Sequence, residues 1–184
     1  LAGAWRGADI QHELQRLSRA TGVPCVLTSI EPDGSFVAVG KAEEASELIV
    51  SVPIGHRFPA DAPAQMRARL AWSDEATRAA ALDAWVPVAH TTHTIVERTA
   101  LEAEITATRR RGYAISRAEF TPGVMSLATP ILDDDDIPWL ILQCPGLEPD
   151  VKAREASIAA ALIQAAGRLS KLLQRPGSEP SPPA

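Results

Sequence analysis

The chain has 184 residues, of which 46% are hydrophobic, so it is long enough to bury one substantial core. Its 18 Lys and Arg residues are outnumbered by 23 Asp and Glu residues, and the net charge of −5 disfavours direct binding of a nucleic-acid backbone. We find neither an apolar run of the roughly 20 residues that cross a bilayer nor a signal peptide, so we expect a cytoplasmic protein with no membrane partner.

Two cysteines, Cys25 and Cys144, lie in separate apolar stretches. Their spacing excludes a disulfide scaffold and a cysteine-based zinc finger, and we interpret both as reduced core thiols. Residue 1 is Leu and not Met, so we expect that a segment precedes this chain.

The first part of the chain predicts a helix followed by three strands. Apolar residues at helical spacing and the helix-ending Gly22 indicate the helix, and the turn residues Pro32–Gly34 separate the first two strands. A run rich in Ile and Val predicts the third strand. In chain order, the helix is expected at residues 8–20 and the strands at residues 23–30, 36–39 and 48–54.

The middle of the chain predicts three helices separated by loops. The third of them ends at Gly112, because glycine readily adopts the left-handed conformation found after a helix. A fourth, long helix follows near the carboxyl end. Ser, Thr and Asp are favoured N-cap residues, and those expected to cap these four helices are Asp61, Ser73, Thr99 and Asp150.

Three more strands are predicted between the third of these helices and the long one, at residues 113–115, 124–132 and 137–144. Asp133–Asp136 supply the turn between the last two strands. Strands and helices do not alternate regularly, which favours an α+β fold with an antiparallel sheet of about six strands and flanking helices. Residues 175–184 are rich in Pro and are expected to form a disordered tail.

Several polar clusters could in principle bind a metal ion or phosphate. Asp133–Asp136 are better interpreted as a hairpin turn, because adjacent side chains splay apart. His90 and His93 have no third ligand at metal-site spacing, and the helix dipole explains the three cations Arg109–Arg111 at a helix end. We therefore predict no metal ion and no cofactor.

The sequence carries no catalytic motif of the nucleophile-elbow, P-loop or zinc-protease type. The more informative segment is Gly55–Gln65, which joins a predicted strand to the start of a helix. Unpaired N–H groups at a helix N-terminus can bind an acceptor group. From this segment alone, an ordinary strand-to-helix loop is an equally good interpretation.

Five short motifs follow one another in a fixed order along the chain. They are E-L-x-x-L-x-x-x-T-G (Glu13–Gly22), G-x-R-x-P (Gly55–Pro59), R-x-R-G-Y-A (Arg109–Ala114), P-G-V-x-S-L-A-x-P (Pro122–Pro130) and A-A-x-x-L-S-x-L-L (Ala165–Leu173). Glu119 lies between the third and fourth motifs. In their order and spacing, these motifs resemble the effector-binding domain of the IclR family of bacterial transcriptional regulators.

This resemblance implies a GAF-like fold, in which the antiparallel sheet carries a small-molecule pocket on one face. It assigns residues 8–174 to the effector-binding domain and residues 1–7 to the remnant of a linker. It further implies an absent N-terminal winged helix-turn-helix, through which a homodimer or homotetramer binds operator DNA. The expected effector is a small organic metabolite, and no enzymatic activity is implied.

The resemblance also implies where the ligand lies. The family's ligand contacts fall on this chain at Ala64, Gln65, Ser116, Ser126, Ile141 and Gln143. We add Met66, Leu127 and Trp139 as expected apolar walls. Ser116 replaces an acidic residue common in the family, so we predict a mostly apolar or aromatic ligand with one acceptor group.

Two other functions are considered beside this ligand sensor. The first is an enzyme that uses the same pocket, with Cys144 or His56 as its reactive group. The second is a GAF-like dimerisation module whose pocket is vestigial and filled by side chains such as Met66 and Trp139. The apolar final helix, between Ala159 and Leu173, predicts self-association.

Overall fold

The computed structural model describes residues 2–44 and 48–174 of the chain. Six helices and six strands follow one another in these residues, namely α1 (Ala2–Thr21), β1 (Cys25–Ile30), β2 (Phe36–Ala42), β3 (Arg57–Phe58), α2 (Pro63–Trp72), α3 (Glu75–Ala84), α4 (Arg98–Arg111), β4 (Ala114–Arg117), β5 (Val124–Leu132), β6 (Pro138–Leu147), α5 (Glu148–Ala153) and α6 (Glu155–Leu173). The strands form one sheet in the order β3-β2-β1-β6-β5-β4, and every neighbouring pair is antiparallel. This arrangement confirms the predicted α+β class.

The two faces of the sheet pack against different helices. On one face, Leu140, Leu142 and Cys144 of β6 join the larger core, to which α1 and α6 contribute Leu14, Leu17, Ile158 and Leu162. On the other face, Ile141 packs with Ala64 and Ala68 of α2. Since side chains alternate along a strand, Gln143 shares the α2 face with Ile141. The candidate functional site lies on this face.

The predicted third strand at residues 48–54 is wrong. The segment lies outside the sheet, and its place beside β2 is taken by β3, which pairs Phe58 with Phe36. Pro53 has no N–H group for a strand ladder, and Leu48 and Ile54 are 68% and 56% exposed. The apolar run therefore indicated a partly exposed loop and not a buried strand.

None of the four predicted N-cap residues caps its helix; the N-cap positions are occupied by Ala62, Asp74, Glu97 and Arg154. Asp61 instead pairs with His90, and the Ser73 hydroxyl donates to the carbonyl of Arg69. Thr99 and Asp150 lie inside the first turns of α4 and α5. The predicted helix end at Gly112 is confirmed, with a φ of 90°.

Two predictions concern the ends of the chain. Helix α1 begins at Ala2, so residues 2–7, which the sequence assigns to a linker, continue the first helix. The predicted tail at residues 175–184 lies outside the described residues. Across the part of the chain that the structure describes, no helix combines the length and apolar character of a membrane span.

The tight approach of β6 to α5 generates a stability prediction. A Cβ atom at Gly146 would lie 2.6 Å from Cγ2 of Val151 and 3.2 Å from Cγ1 of Val23. Because both valines are buried and stiff, we expect Gly146→Ala to lower the free energy of unfolding by about 1–3 kcal/mol in urea denaturation.

Gly167→Ala is the matched control, because nothing lies within 4 Å of a Cβ at this position in α6. It should raise the free energy of unfolding by about 0.5–1 kcal/mol, since alanine is the better helix former. Equal stability of the two variants would show that the packing between β6 and α5 is looser than described.

Candidate functional site

A cavity of about 340 Å³ lies on the α2 face of the sheet, and we call it the sheet cavity. The first turn of α2 closes one side, and the loop that precedes β3 covers another. Its apolar walls include Val50, Val52, Phe58, Phe120, Val124 and Pro145, and its polar lining includes Gln65, Ser116, Ser126 and Gln143. A few polar groups among apolar walls are typical of a small-molecule site.

Strand register brings the polar residues of the sheet together. Ser116 of β4 lies opposite Ser126 of β5, which in turn lies opposite Pro145 of β6. One row further along the sheet, Ala128 lies opposite Gln143. Because positions two residues apart in a strand share a face, all these side chains point to the same side of the sheet.

The polar side chains of the sheet cavity are available to a ligand. The hydroxyl oxygen of Ser126 is buried and has no hydrogen-bond partner. Ser116, Gln65 and Gln143 are buried too, and their side chains make no hydrogen bond to any residue that the structure describes. Since buried polar atoms in proteins are nearly always paired, the Ser126 hydroxyl marks this cluster as a candidate binding site.

Helix α2 is fixed over the cavity by a buried ion pair. Arg67 donates from Nη1 and Nη2 to the two carboxylate oxygens of Glu119, at 2.7 and 2.5 Å, and Nη1 also donates to the carbonyl of Ile115 at 2.7 Å. The pair therefore holds the first turn of α2, with Ala64 and Gln65, against β4. The N–H groups of these two residues have no partner among the described residues, as is usual in the first turn of a helix.

A second set of contacts fixes Phe120 at the cavity wall. The His90 ring meets the Phe120 ring edge-on with 4.8 Å between centroids, and His90 Nε2 lies 2.8 Å from a carboxylate oxygen of Asp61. The hydroxyl of Thr94 donates to the carbonyl of Glu119 at 2.6 Å. The loop after α3 thus braces the segment between β4 and β5.

The structure brings five of the six predicted ligand contacts together around the sheet cavity. They are Ala64, Gln65, Ser116, Ser126 and Gln143. The sixth, Ile141, is on the same sheet face but is completely buried beneath α2. It supports the floor of the site without lining it.

The three predicted wall residues lie elsewhere. Met66 points to the other side of α2 and packs in a cluster with α4. Leu127 lies on the opposite face of the sheet, in the larger core. Trp139 is 39% exposed beside the hairpin turn at residues 133–136.

The aromatic walls were not predicted. Phe58 and Phe120 line the cavity. The sequence predicts neither as a wall residue, although Phe58 is part of the Gly55–Gln65 segment and Phe120 follows Glu119. The chain has only three Phe residues, so their position beside two motifs was the available signal. The predicted strand at residues 48–54 includes Val50 and Val52, so the sequence does not indicate that these two residues line the cavity.

The electrostatics of the cavity differ from those of a metal or phosphate site. Among the described residues that line it there is no Asp, Glu, Lys or Arg. No group of three His, Cys, Asp or Glu residues within the described ranges could hold a metal ion. Away from the cavity, Arg111 pairs with Glu104 at 2.7 Å and Arg109 lies over the Trp72 ring.

The sequence matches the profile of the family described as "Bacterial transcriptional regulator IclR C-terminal" over residues 8–171. Among curated relatives, it is 32% identical over 165 residues to the HTH-type transcriptional regulator XynR of Escherichia coli (strain K12), and 29% identical over 119 residues to the probable transcriptional regulator SauR of Cupriavidus necator. These matches cover 89% and 65% of this chain, but 65% and 47% of the relatives. The chain thus spans less than two thirds of either relative.

Solved structures share the fold. A transcriptional regulator of the same family from Alicyclobacillus acidocaldarius superposes with a TM-score of 0.80 at 26% identity, over 90% of this chain and 66% of that one. The inducer-binding domain of PobR from Acinetobacter, a double mutant in complex with 3-hydroxybenzoic acid, gives a TM-score of 0.77 at 20% identity, over 90% and 98%. The second likeness concerns the fold alone.

The two cysteines are poor candidates for a nucleophile. Both are completely buried, and neither lines the sheet cavity. Burial raises the pKa of Cys25 to about 12, and burial together with the neighbouring Cys25 raises that of Cys144 well above its ordinary value. At neutral pH both groups are thiols, and the thiol is the unreactive form.

This burial predicts the reactivity of the thiols. We expect both to be unreactive toward DTNB in the native protein at pH 8 and to react promptly in urea, as followed by absorbance. The free energy of unfolding should also fall as the pH rises from about 9 toward 12, because unfolded thiols ionise at 9.0 while Cys25 keeps its proton up to about 12. A Cys25→Ala variant should lose part of this alkaline dependence, and rapid native labelling would contradict the burial.

Proposed function

Because the chain belongs to the IclR family of bacterial transcriptional regulators, we propose that its sheet cavity binds a small organic metabolite. Occupancy of the cavity is transmitted to a winged helix-turn-helix domain outside this chain, which binds operator DNA. Such a ligand acts only through different affinities for the two conformations or assemblies of the regulator.

The observation that carries this proposal is the unpaired hydroxyl of Ser126, buried in an otherwise largely apolar cavity. Together with Gln65, Ser116 and Gln143 it offers donors and acceptors on one side of the space, while Phe58 and Phe120 offer flat apolar surfaces. A mostly apolar or aromatic molecule with a polar acceptor group fits this chemistry. 3-Hydroxybenzoic acid, which occupies the PobR mutant domain, is a reasonable first probe.

DNA binding belongs to the absent domain in this proposal. The described surface belongs to a chain with a net charge of −5, which repels phosphate. The regulator works in the cytoplasm as a homodimer or homotetramer. The apolar stripe of α6 lends little support to self-association, because Ile158, Leu162 and Leu169 are buried in the chain's own core, so assembly rests on family membership.

The two other functions find less support. A vestigial pocket requires bulky side chains to fill the space, and neither Met66 nor Trp139 enters the sheet cavity. An enzyme requires a reactive group. The Cys144 thiol is buried on the other sheet face, and His56 is exposed at the rim, where its ring contacts Phe58 edge-on at 4.6 Å.

Ser126→Ala should affect stability and ligand binding differently. Because the native hydroxyl is buried and unpaired, its removal should leave the free energy of unfolding unchanged or raise it by up to about 1 kcal/mol. The same change should weaken binding of a ligand found by thermal-shift screening of aromatic and hydroxy acids, by about 1–3 kcal/mol in calorimetric titration.

Gln143→Leu should weaken the same ligand similarly, and Gln164→Leu is its matched control, since Gln164 is exposed on α6. Unchanged affinity in both cavity variants would place the ligand elsewhere. Turnover of any compound by the purified protein would contradict a purely sensory role.

A further inference from the structure

A second cavity of about 500 Å³ lies on the side of α2 that faces away from the sheet cavity, and we call it the helix cavity. It is bounded by α2, by α3 with the residues that follow it, and by the turn between β1 and β2. The side chains that matter here are Met66, Arg69, Leu70, Leu82, Trp85 and Val88. Five of these six are apolar, and the sixth carries a positive charge.

Arg69 is a half-buried cation without a counter-charge. Its guanidinium makes no hydrogen bond and no ion pair to any residue in 2–44 or 48–174. A Cβ atom at Gly34 would lie only 2.9 Å from Nη1 of Arg69, so the guanidinium lies directly against the turn between β1 and β2. Burial lowers the pKa of Arg69, and no neighbouring anion acts in the other direction.

Two carboxylates are found in the same wall, but both have other partners. Asp33 accepts from the N–H and hydroxyl groups of Ser35 at 2.9 and 2.5 Å and lies 3.7 Å from Arg57. Asp61 lies 2.8 Å from His90 Nε2. The Arg69 charge is therefore uncompensated although acidic side chains are near, and partial burial of an unpaired charge is unfavourable.

We propose that the helix cavity is a second ligand site, which binds a small amphipathic monocarboxylate. The carboxylate accepts hydrogen bonds from the Arg69 guanidinium, whose fork geometry suits this group. The apolar body of the ligand packs against Leu70, Leu82 and Trp85. The ligand thus supplies the counter-charge that the described residues do not.

The helix cavity is separate from the site proposed for the effector. Ala64 and Gln65 of α2 line the sheet cavity, whereas Met66, Arg69 and Leu70 line the helix cavity. Among the described residues, none lines both cavities. Binding of a carboxylate at Arg69 does not depend on the proposed function of the sheet cavity.

The test is calorimetric titration of the 184-residue chain with hexanoate, octanoate and phenylacetate, each compared with its neutral amide. We expect saturable binding of the carboxylates with Kd on the order of 0.1–1 mM, as suits ligands of this size. The amides should bind about tenfold more weakly, because they lack the charge that pairs with Arg69. This comparison requires no variant.

Arg69→Met, which keeps an apolar stem, should weaken carboxylate binding about tenfold. Arg78→Met is the matched control, because Arg78 lies on α3 outside the helix cavity, and it should bind like the unmodified chain. Ser126→Leu, which fills the sheet cavity, should also leave carboxylate binding unchanged.

Several results would overturn the proposal. These are no saturable binding up to about 10 mM, equal affinity for carboxylates and amides, and unchanged binding by Arg69→Met. Loss of binding in Ser126→Leu would show that the probes occupy the sheet cavity. If the unmodified chain sediments as a dimer and Arg69→Met as a monomer, the helix cavity is covered by a second copy and not by a small molecule.

Discussion

The ion pair between Arg67 and Glu119 is the contact on which the shape of the sheet cavity depends. Only 2% and 8% of the two side chains are exposed, and they meet through two hydrogen bonds. A buried ion pair adds little net stability, but loss of one partner leaves an uncompensated charge in the protein interior. The pair therefore specifies one position of α2 over β4. Gln65 lies two residues before Arg67 and Phe120 directly follows Glu119, so the pair also fixes the positions of these two lining residues.

Helix α2 consequently contributes to the walls of both cavities. One side of its first turns faces the sheet cavity, and Met66, Arg69 and Leu70 face the helix cavity. The ion pair of Arg67 with Glu119 fixes the position of both sides of α2 relative to the sheet. A regulator that senses a ligand needs an element whose position has few alternatives, because packed interiors respond to ligands by switching between discrete arrangements. If the sheet cavity binds the effector as proposed, α2 is the element that contacts the ligand and the helix cavity together.

The resemblance to the family predicted Ser116, Ser126 and Gln143 as ligand contacts, and strand register places all three around the sheet cavity. The alternation of side chains along a strand shows that Leu127 could not share a face with Ser126. The burial of Ile141 could not be predicted without knowing where α2 packs on the sheet. The loop at residues 48–54 could not be distinguished from a strand without knowing which segment pairs with β2. The Arg67 and Glu119 pair joins positions 52 residues apart, and no local pattern indicates such a contact.

The most direct test of this account is a double-mutant cycle that combines Arg67→Met with Glu119→Gln, measured by urea denaturation. Each single change should lower the free energy of unfolding by about 3–5 kcal/mol, because it leaves the other group buried without its partner. The double variant should be no less stable than either single variant, which corresponds to a coupling energy of at least about 3 kcal/mol. Effects that add to within about 0.5 kcal/mol would show that the two residues act independently and that α2 is held over the cavity by other contacts.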